Sequence, residues 1–156
     1  MSLLHRTKPL VVATLSVMGR LSKGITFGVR GLVLDGDRVL LVRHSYVPGW
    51  YLPGGAVEPR ESAVDAIRRE LLEEANLTVT GTPVLAGLFF NREMAARDHI
   101  ALYHVTDWTL PALPKPNHEI VAVDFFPLAA LPEGTTAATR RRLDEHLTGA
   151  APSPTW

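Results

Sequence analysis

No cysteine occurs among the 156 residues, which excludes disulfides, thiol nucleophiles and thiolate metal sites. Net charge is also missing: sixteen basic residues balance sixteen acidic ones, so nothing global attracts a nucleic-acid polymer. Any phosphate chemistry must then arise from a local site. Long apolar runs are absent too. The run from Pro9 to Met18 follows basic residues in the manner of a signal peptide, but it is too short to span a bilayer and lacks a clean cleavage pattern. These absences lead us to expect a cytoplasmic protein without stable membrane insertion.

With 46% hydrophobic and 21% charged residues, the length suits one globular core. Three segments are expected. Residues 1–23 form an apolar, helical N-terminal segment, with Val11, Leu15 and Met18 at helical spacing. Residues 24–147 form the main domain, and residues 148–156 a flexible tail. Within the domain, "ITFGVRGLVLDGDRVLLVRHS" reads as two strands joined by a hairpin at "DGD". "VPGWYLPGG" reads as a Gly/Pro loop, and Ser62 opens a helix reaching Ala75. Further strands are expected at 84–90, 99–106 and 119–128, and a terminal helix at 135–147 whose "TRRRLDEH" forms an exposed face. Strands interleaved with helices indicate an α/β or α+β sandwich.

The first helix carries the main chemical signal. Ser62 is its N-cap, with Asp65 three residues later as a weak capping box. Advancing about 100° per residue, Val64, Ile67, Leu71 and Ala75 share an apolar stripe. Glu70, Glu73 and Glu74 crowd an adjacent arc together with the small Ala63 and Ala66, which leave room for a ligand or another segment. Like charges at i,i+4 repel, and Arg69 offsets only part of that through Glu73. A solvated face would more commonly alternate in sign.

Written out, Gly55, five residues, Glu61, seven residues and then Arg69-Glu70-Leu71-Leu72-Glu73-Glu74-Ala75-Asn76-Leu77 resembles the box of the Nudix hydrolases, G-x5-E-x7-R-E-U-x-E-E-x-G-U with U apolar. The preceding "WYLPGG" resembles the family's lead-in. Asn76 departs from the pattern's second Gly, and Asn is the next-best residue for a left-handed helix terminus. Arg60 stands where many relatives have Gly.

The resemblance implies an α/β/α sandwich with a mixed sheet. It also implies an Mg²⁺- or Mn²⁺-dependent pyrophosphohydrolase that cleaves the diphosphate of a nucleoside diphosphate derivative, with a small-molecule nucleotide as partner. Hard cations of this kind take oxygen ligands and keep waters. The resemblance makes Glu70, Glu73 and Glu74 metal ligands, with Glu70 also a candidate general base, and Arg69 an orienting residue. A loop carbonyl from Gly54, less surely Gly55, joins the ligand set, and Glu61 supports the site or a second metal. Glu119, before the last strand, is a further ligand or the alternative base; Glu93 and Asp98 are weaker candidates. Arg43 is a phosphate-binding candidate, His44 reads more readily as structural, and Trp50 and Tyr51 stack on a base or anchor the loop. Arg92 and Arg97 bracket a segment able to close over substrate. The positions that mark substrate subclasses in the family are occupied here by Glu93 and its neighbours, so no nucleotide is named.

The competing reading is a nucleotide-sensing or scaffolding domain without turnover, which would be expected to have lost some of the box's charges. A third is a partner-binding protein using its N-terminal stripe, the same surface on which a homodimer would rest.

Overall fold

The computed structural model describes residues 24–93 and 97–156; the expected N-terminal helix lies outside them. Nine elements follow in order among the described residues: β1 (Thr26–Asp35), β2 (Arg38–His44), α1 (Ala63–Ala75), β3 (Thr78–Val79), β4 (Val84–Asn91), β5 (Asp98–Val105), β6 (Trp108–Thr109), β7 (Ile120–Pro127) and α2 (Ala137–Thr148). The main sheet has the order β4-β5-β1-β2-β7, and β3 pairs with β6 apart from it. β1 runs parallel to β5 and the other pairs are antiparallel, so the sheet is mixed.

Side chains alternate across a strand, and the sheet buries both faces. Val29, Val33 and Leu40 pack with Ile67 and Leu71 of α1 on one face. Leu32, Val39 and Leu41 pack with Leu143 of α2 on the other. The result is an α/β/α sandwich. Gly31 lets α1 close in, since a Cβ there would press on Ile67 and Leu71.

β1 and β2 stay paired only beside their turn, at Leu34–Val39 and Asp35–Arg38. Beyond it they part, and the loop of residues 51–57 fills the gap as an improvised strand. Tyr51 exchanges two backbone bonds of 2.9 Å with Val42 on one side. On the other, Gly31, Val29 and Phe27 bond Pro53, Gly55 and Val57 at 2.8–2.9 Å. A Cβ on Gly54, whose φ is 136°, would strike the Val29 carbonyl, so this approach needs glycine.

Helix α1 begins and ends where its caps dictate. Ser62 accepts from the Asp65 amide at 3.1 Å. Asn76 adopts φ 56° and ψ 28°, and its amide and that of Leu77 close onto Leu72 and Leu71. Its side chain also donates to Ala112 at 3.0 Å, a tie glycine could not make. Arg60 takes φ 71°, a strained choice outside glycine.

Two expectations need correction at the other face. The "TRRRLDEH" segment is not wholly exposed: Arg142 is 1% exposed, lies 4.0 Å over the Phe89 ring, and pairs with Glu145 at 2.7 Å. Nor does the tail hang free. Phe90 donates to Pro154 at 2.9 Å and Trp156 donates back to Phe90 at 3.0 Å, while the Trp156 ring meets Phe89. The reason is that β4 is a sheet edge with unpaired backbone groups, and the tail satisfies them.

Candidate active site

The gap between β1 and β2 sets the site, because it carries the glycine loop up against α1. Gly54 donates its N–H to Glu74 at 2.8 Å. Glu70 lies so close to Gly55 that a Cβ there would come 2.5 Å from its carboxylate. The small residues beside the acidic arc thus admit this loop, and Ala66 is fully buried.

The glutamates divide by environment. Glu73 is exposed and turned toward Arg69 at 3.1 Å. Arg69 grips Glu61 through two bonds of 2.8 and 3.0 Å, reaches Glu70 at 2.8 Å and bonds the Ala56 carbonyl at 3.0 Å. These bonds hold Glu61 below its ordinary pKa and Arg69 above its own, so Arg69 is a fixed charge that ties helix to loop. Burial pushes Glu70 upward in spite of Arg69. Glu74, 5% exposed, is pushed to about 8, chiefly by burial and further by Glu70 and Glu119, against the opposing Gly54 bond and Arg30.

Buried His44 places its Nε2 3.5 Å from Glu74, but burial lowers its pKa, so the pair is not a charged one. Among the described residues its buried Nδ1 has no hydrogen-bond partner. Tyr46 sets an exposed ring 5.1 Å from His44, and its phenol is raised by slight burial and then by Glu119 and Glu74. Glu119 is drawn in because the chain before β7 is clamped: its amide donates to Asn117 at 2.8 Å and its carbonyl accepts from Ser45 at 2.8 Å. Its carboxylate then acts on His44, Tyr46 and Glu74.

Other expected residues lie elsewhere or act structurally. Asp98 accepts from Thr26 and Asn91, both at 2.8 Å, and closes the β4–β5 turn instead of joining the glutamates. Glu93 and Arg97 are exposed at that turn, and Arg92 stacks 6.0 Å over Phe90. Tyr51 donates to Pro48 at 2.9 Å and anchors the loop. Trp50 is fixed edge-on to Phe126 at 4.7 Å, with the Arg43 guanidinium 5.9 Å from its ring. Arg43, His44, Tyr46, Trp50 and Glu133 line a cleft of about 550 Å³. Tyr46 belongs to both this cleft and the electrostatic surroundings of the glutamates.

Sequence reasoning passed over Tyr46 and Arg30. The signal for Arg30 was present: one arginine interrupts the apolar "VRGLVL" of β1. Its guanidinium donates to the Gly54 carbonyl and, at 3.4 Å, to the Leu52 carbonyl.

Among the described residues, no three His, Asp or Glu side chains converge closely enough to enclose a metal ion as they stand. The donor chemistry nevertheless fits a hard divalent cation. Glu70, Glu74 and Glu119 are oxygen donors, with Glu70 and Glu119 both raising the pKa of Glu74, and Glu73 is an exposed donor paired with Arg69. Of the two glycine carbonyls, that of Gly55 is committed to Val29 at 2.8 Å. That of Gly54 accepts from Arg30 and keeps a second lone pair.

The sequence profile of the NUDIX domain family matches residues 24–147. The chain belongs to the Nudix family. Over 62 residues, 37% of this chain and 19% of the other, it is 40% identical to the 8-oxo-dGDP phosphatase NUDT18 of Homo sapiens. Over 72 residues, 46% of this chain and 40% of the other, it is 39% identical to diphosphoinositol polyphosphate phosphohydrolase 2 of Rattus norvegicus. These matches span less than half the length of either relative. The fold is that of the MutT NUDIX hydrolase of Burkholderia pseudomallei, with a TM-score of 0.67 at 24% identity, covering 78% of this chain and 98% of that one. No helix among the described residues is long and apolar enough to cross a membrane.

Proposed function

We propose that residues 24–147 form a divalent-cation-dependent pyrophosphohydrolase that cleaves the diphosphate linkage of a nucleoside diphosphate derivative, with Mg²⁺ or Mn²⁺ as the cation. The observation that carries this reading is the desolvated carboxyl of Glu74, held against the glycine loop by the Gly54 N–H and paired with no Arg or Lys among the described residues, with Glu70 beside it raised by burial in spite of its Arg69 bond. Keeping Glu74 ionised at neutral pH opposes a shift from 4.5 to about 8, on the order of 5 kcal/mol. A fold that needed only a filled core would place an apolar side chain there.

Glu70, Glu73, Glu74, the Gly54 carbonyl and Glu119 are the groups that would hold the cation. Bound there, it would neutralise diphosphate charge and polarise a water for attack. Arg69 keeps Glu61, Glu70 and the Ala56 carbonyl in register, so helix and loop present one rigid surface. Glu70, raised by burial above the ordinary carboxyl value in spite of Arg69, is the base we assign. It takes a proton as the water oxygen bonds phosphorus and the bridging P–O bond breaks, releasing two phosphate-bearing products. Glu119 is the residue to compare with it. The cleft between Tyr46 and Trp50, with Arg43 at its wall, is of a size and aromatic character suited to the organic part of such a substrate.

The test is product release from nucleoside triphosphates, dinucleotides, ADP-ribose and nucleotide sugars, each with Mg²⁺, with Mn²⁺ and with chelator. Cation-dependent cleavage between phosphates of one class is the expected result. Binding without cleavage across the panel would instead support a nucleotide-sensing domain.

A further inference from the structure

Arg30 has no assigned task, yet it is the charged residue of β1 closest to the middle of the sheet. By strand alternation it shares the face of Leu32, and in register it opposes Leu102 of β5. At this level β1 and β2 have parted, so the side chain reaches beneath the glycine loop. There it bonds the Leu52 and Gly54 carbonyls through one terminal nitrogen. Gly54 is thus held from two directions, its N–H by Glu74 and its carbonyl by Arg30.

A half-buried guanidinium surrounded by acids would ordinarily pair with one. Arg30 acts electrostatically on Glu70, Glu74, His44 and Tyr46. Even so, among the described residues it forms no ion pair with any carboxylate. Its other terminal nitrogen and its Nε make no hydrogen bond there and are not sealed from solvent. The fork is therefore immobilised by two carbonyls with part of its donor set unspent. Fixed donors of this type suit a tetrahedral oxyanion, which a carboxylate-rich site would otherwise repel.

We propose that Arg30 is an anion site for a phosphoryl group of the substrate, at the glycine loop whose Gly54 carbonyl it bonds and whose Gly54 N–H is bonded to Glu74. This rests on the pyrophosphohydrolase reading and adds a substrate-contacting residue to it. A purely structural Arg30 would only brace the loop through the Leu52 and Gly54 carbonyls, a duty that lysine can share.

The experiment is calorimetric binding of inorganic pyrophosphate, in excess Mg²⁺, to the full chain and to Arg30→Gln and Arg30→Lys, with melting curves for each. Wild type binds, and Arg30→Gln weakens binding roughly tenfold or more, the scale of a lost charge-assisted bond. Arg30→Lys keeps the loop contact and the melting temperature but loses the fork, and weakens binding several-fold. If Arg30→Gln does not fold, Arg30→Lys alone decides. Pyrophosphate binding to a folded Arg30→Lys equal to wild type, or no binding by wild type, overturns the proposal. Substrate turnover with undiminished pyrophosphate binding in the variants removes Arg30 and leaves the hydrolase reading. Weakened binding in the variants, with no turnover of any substrate by wild type, keeps the anion site and removes the hydrolase.

Discussion

Two buried charges, one on each face of the sheet, are treated in opposite ways. On the α2 face Arg142 is 1% exposed and, although its Nε has no hydrogen-bond partner among the described residues, it pairs with Glu145 at 2.7 Å, bonds the Thr155 carbonyl at 3.2 Å and lies against the rings of Phe89 and Trp156. On the α1 face Glu74 is 5% exposed and receives one backbone N–H and a neutral histidine. Burial is nearly equal, but Arg142 has a carboxylate partner while Glu74 has no Arg or Lys partner among the described residues. A buried charge with a partner of its own serves the architecture, and one without such a partner is the kind of group a ligand would use, which is the role proposed for Glu74.

The sharpest break of that comparison is Glu74→Gln. It should lower turnover roughly a thousandfold, the scale of losing a preorganised electrostatic group. Melting temperature of the cation-free protein should hold near pH 7, because an amide can accept from Gly54 as the carboxyl does. Steady-state kinetics and a thermal melt check both halves, and the same loss is expected for Glu73→Gln.

Arg142→Ala should do the reverse. Removing one partner of a buried, stacked ion pair costs about 3 kcal/mol, read by denaturant unfolding, while the folded fraction keeps its kcat.

An effect of similar size is pH-linked. The carboxyl of Glu74 moves from an ordinary 4.5 to about 8 on folding, burial being the main cause. Its contribution to stability is therefore fully present below about 4.5 and is lost as pH rises through about 8. Chelated wild type should lose stability across that window relative to Glu74→Gln, in which the site does not titrate. Urea midpoints at pH 5 and pH 8 measure it, and parallel slopes for the two proteins would count against a raised carboxyl.

The smallest change is at the helix end. Asn76→Gly gains left-handed freedom but loses the Ala112 bond, and should shift stability by less than about 0.5 kcal/mol with activity intact.

What was legible in the sequence was local. The caps Ser62 and Asn76, the apolar stripe of α1 and the turn at Gly36 depend on neighbours within one or two turns of chain, and the structure follows them. The spacing of the glutamates likewise set them on one arc. The rest needed distant partners. Asp98 resembles a ligand until β1 brings Thr26 to it. Arg30 resembles an interruption of β1 until residues 52–54 pass beside it. Arg142 resembles a solvated helix residue until the tail folds Trp156 over it, and the tail docks because β4 offers an open edge. Tyr46 gains meaning only when the segment before β7 delivers Glu119.

The most direct measurement is a calorimetric titration of Mn²⁺ into wild type and Glu74→Gln near pH 7, in buffers of different ionisation enthalpy. Wild type should bind and release about one proton from a site dominated by Glu74, while Glu74→Gln binds far more weakly and releases none. Equal affinity and equal proton release in the two proteins would contradict the claim that this buried carboxyl is kept for a cation.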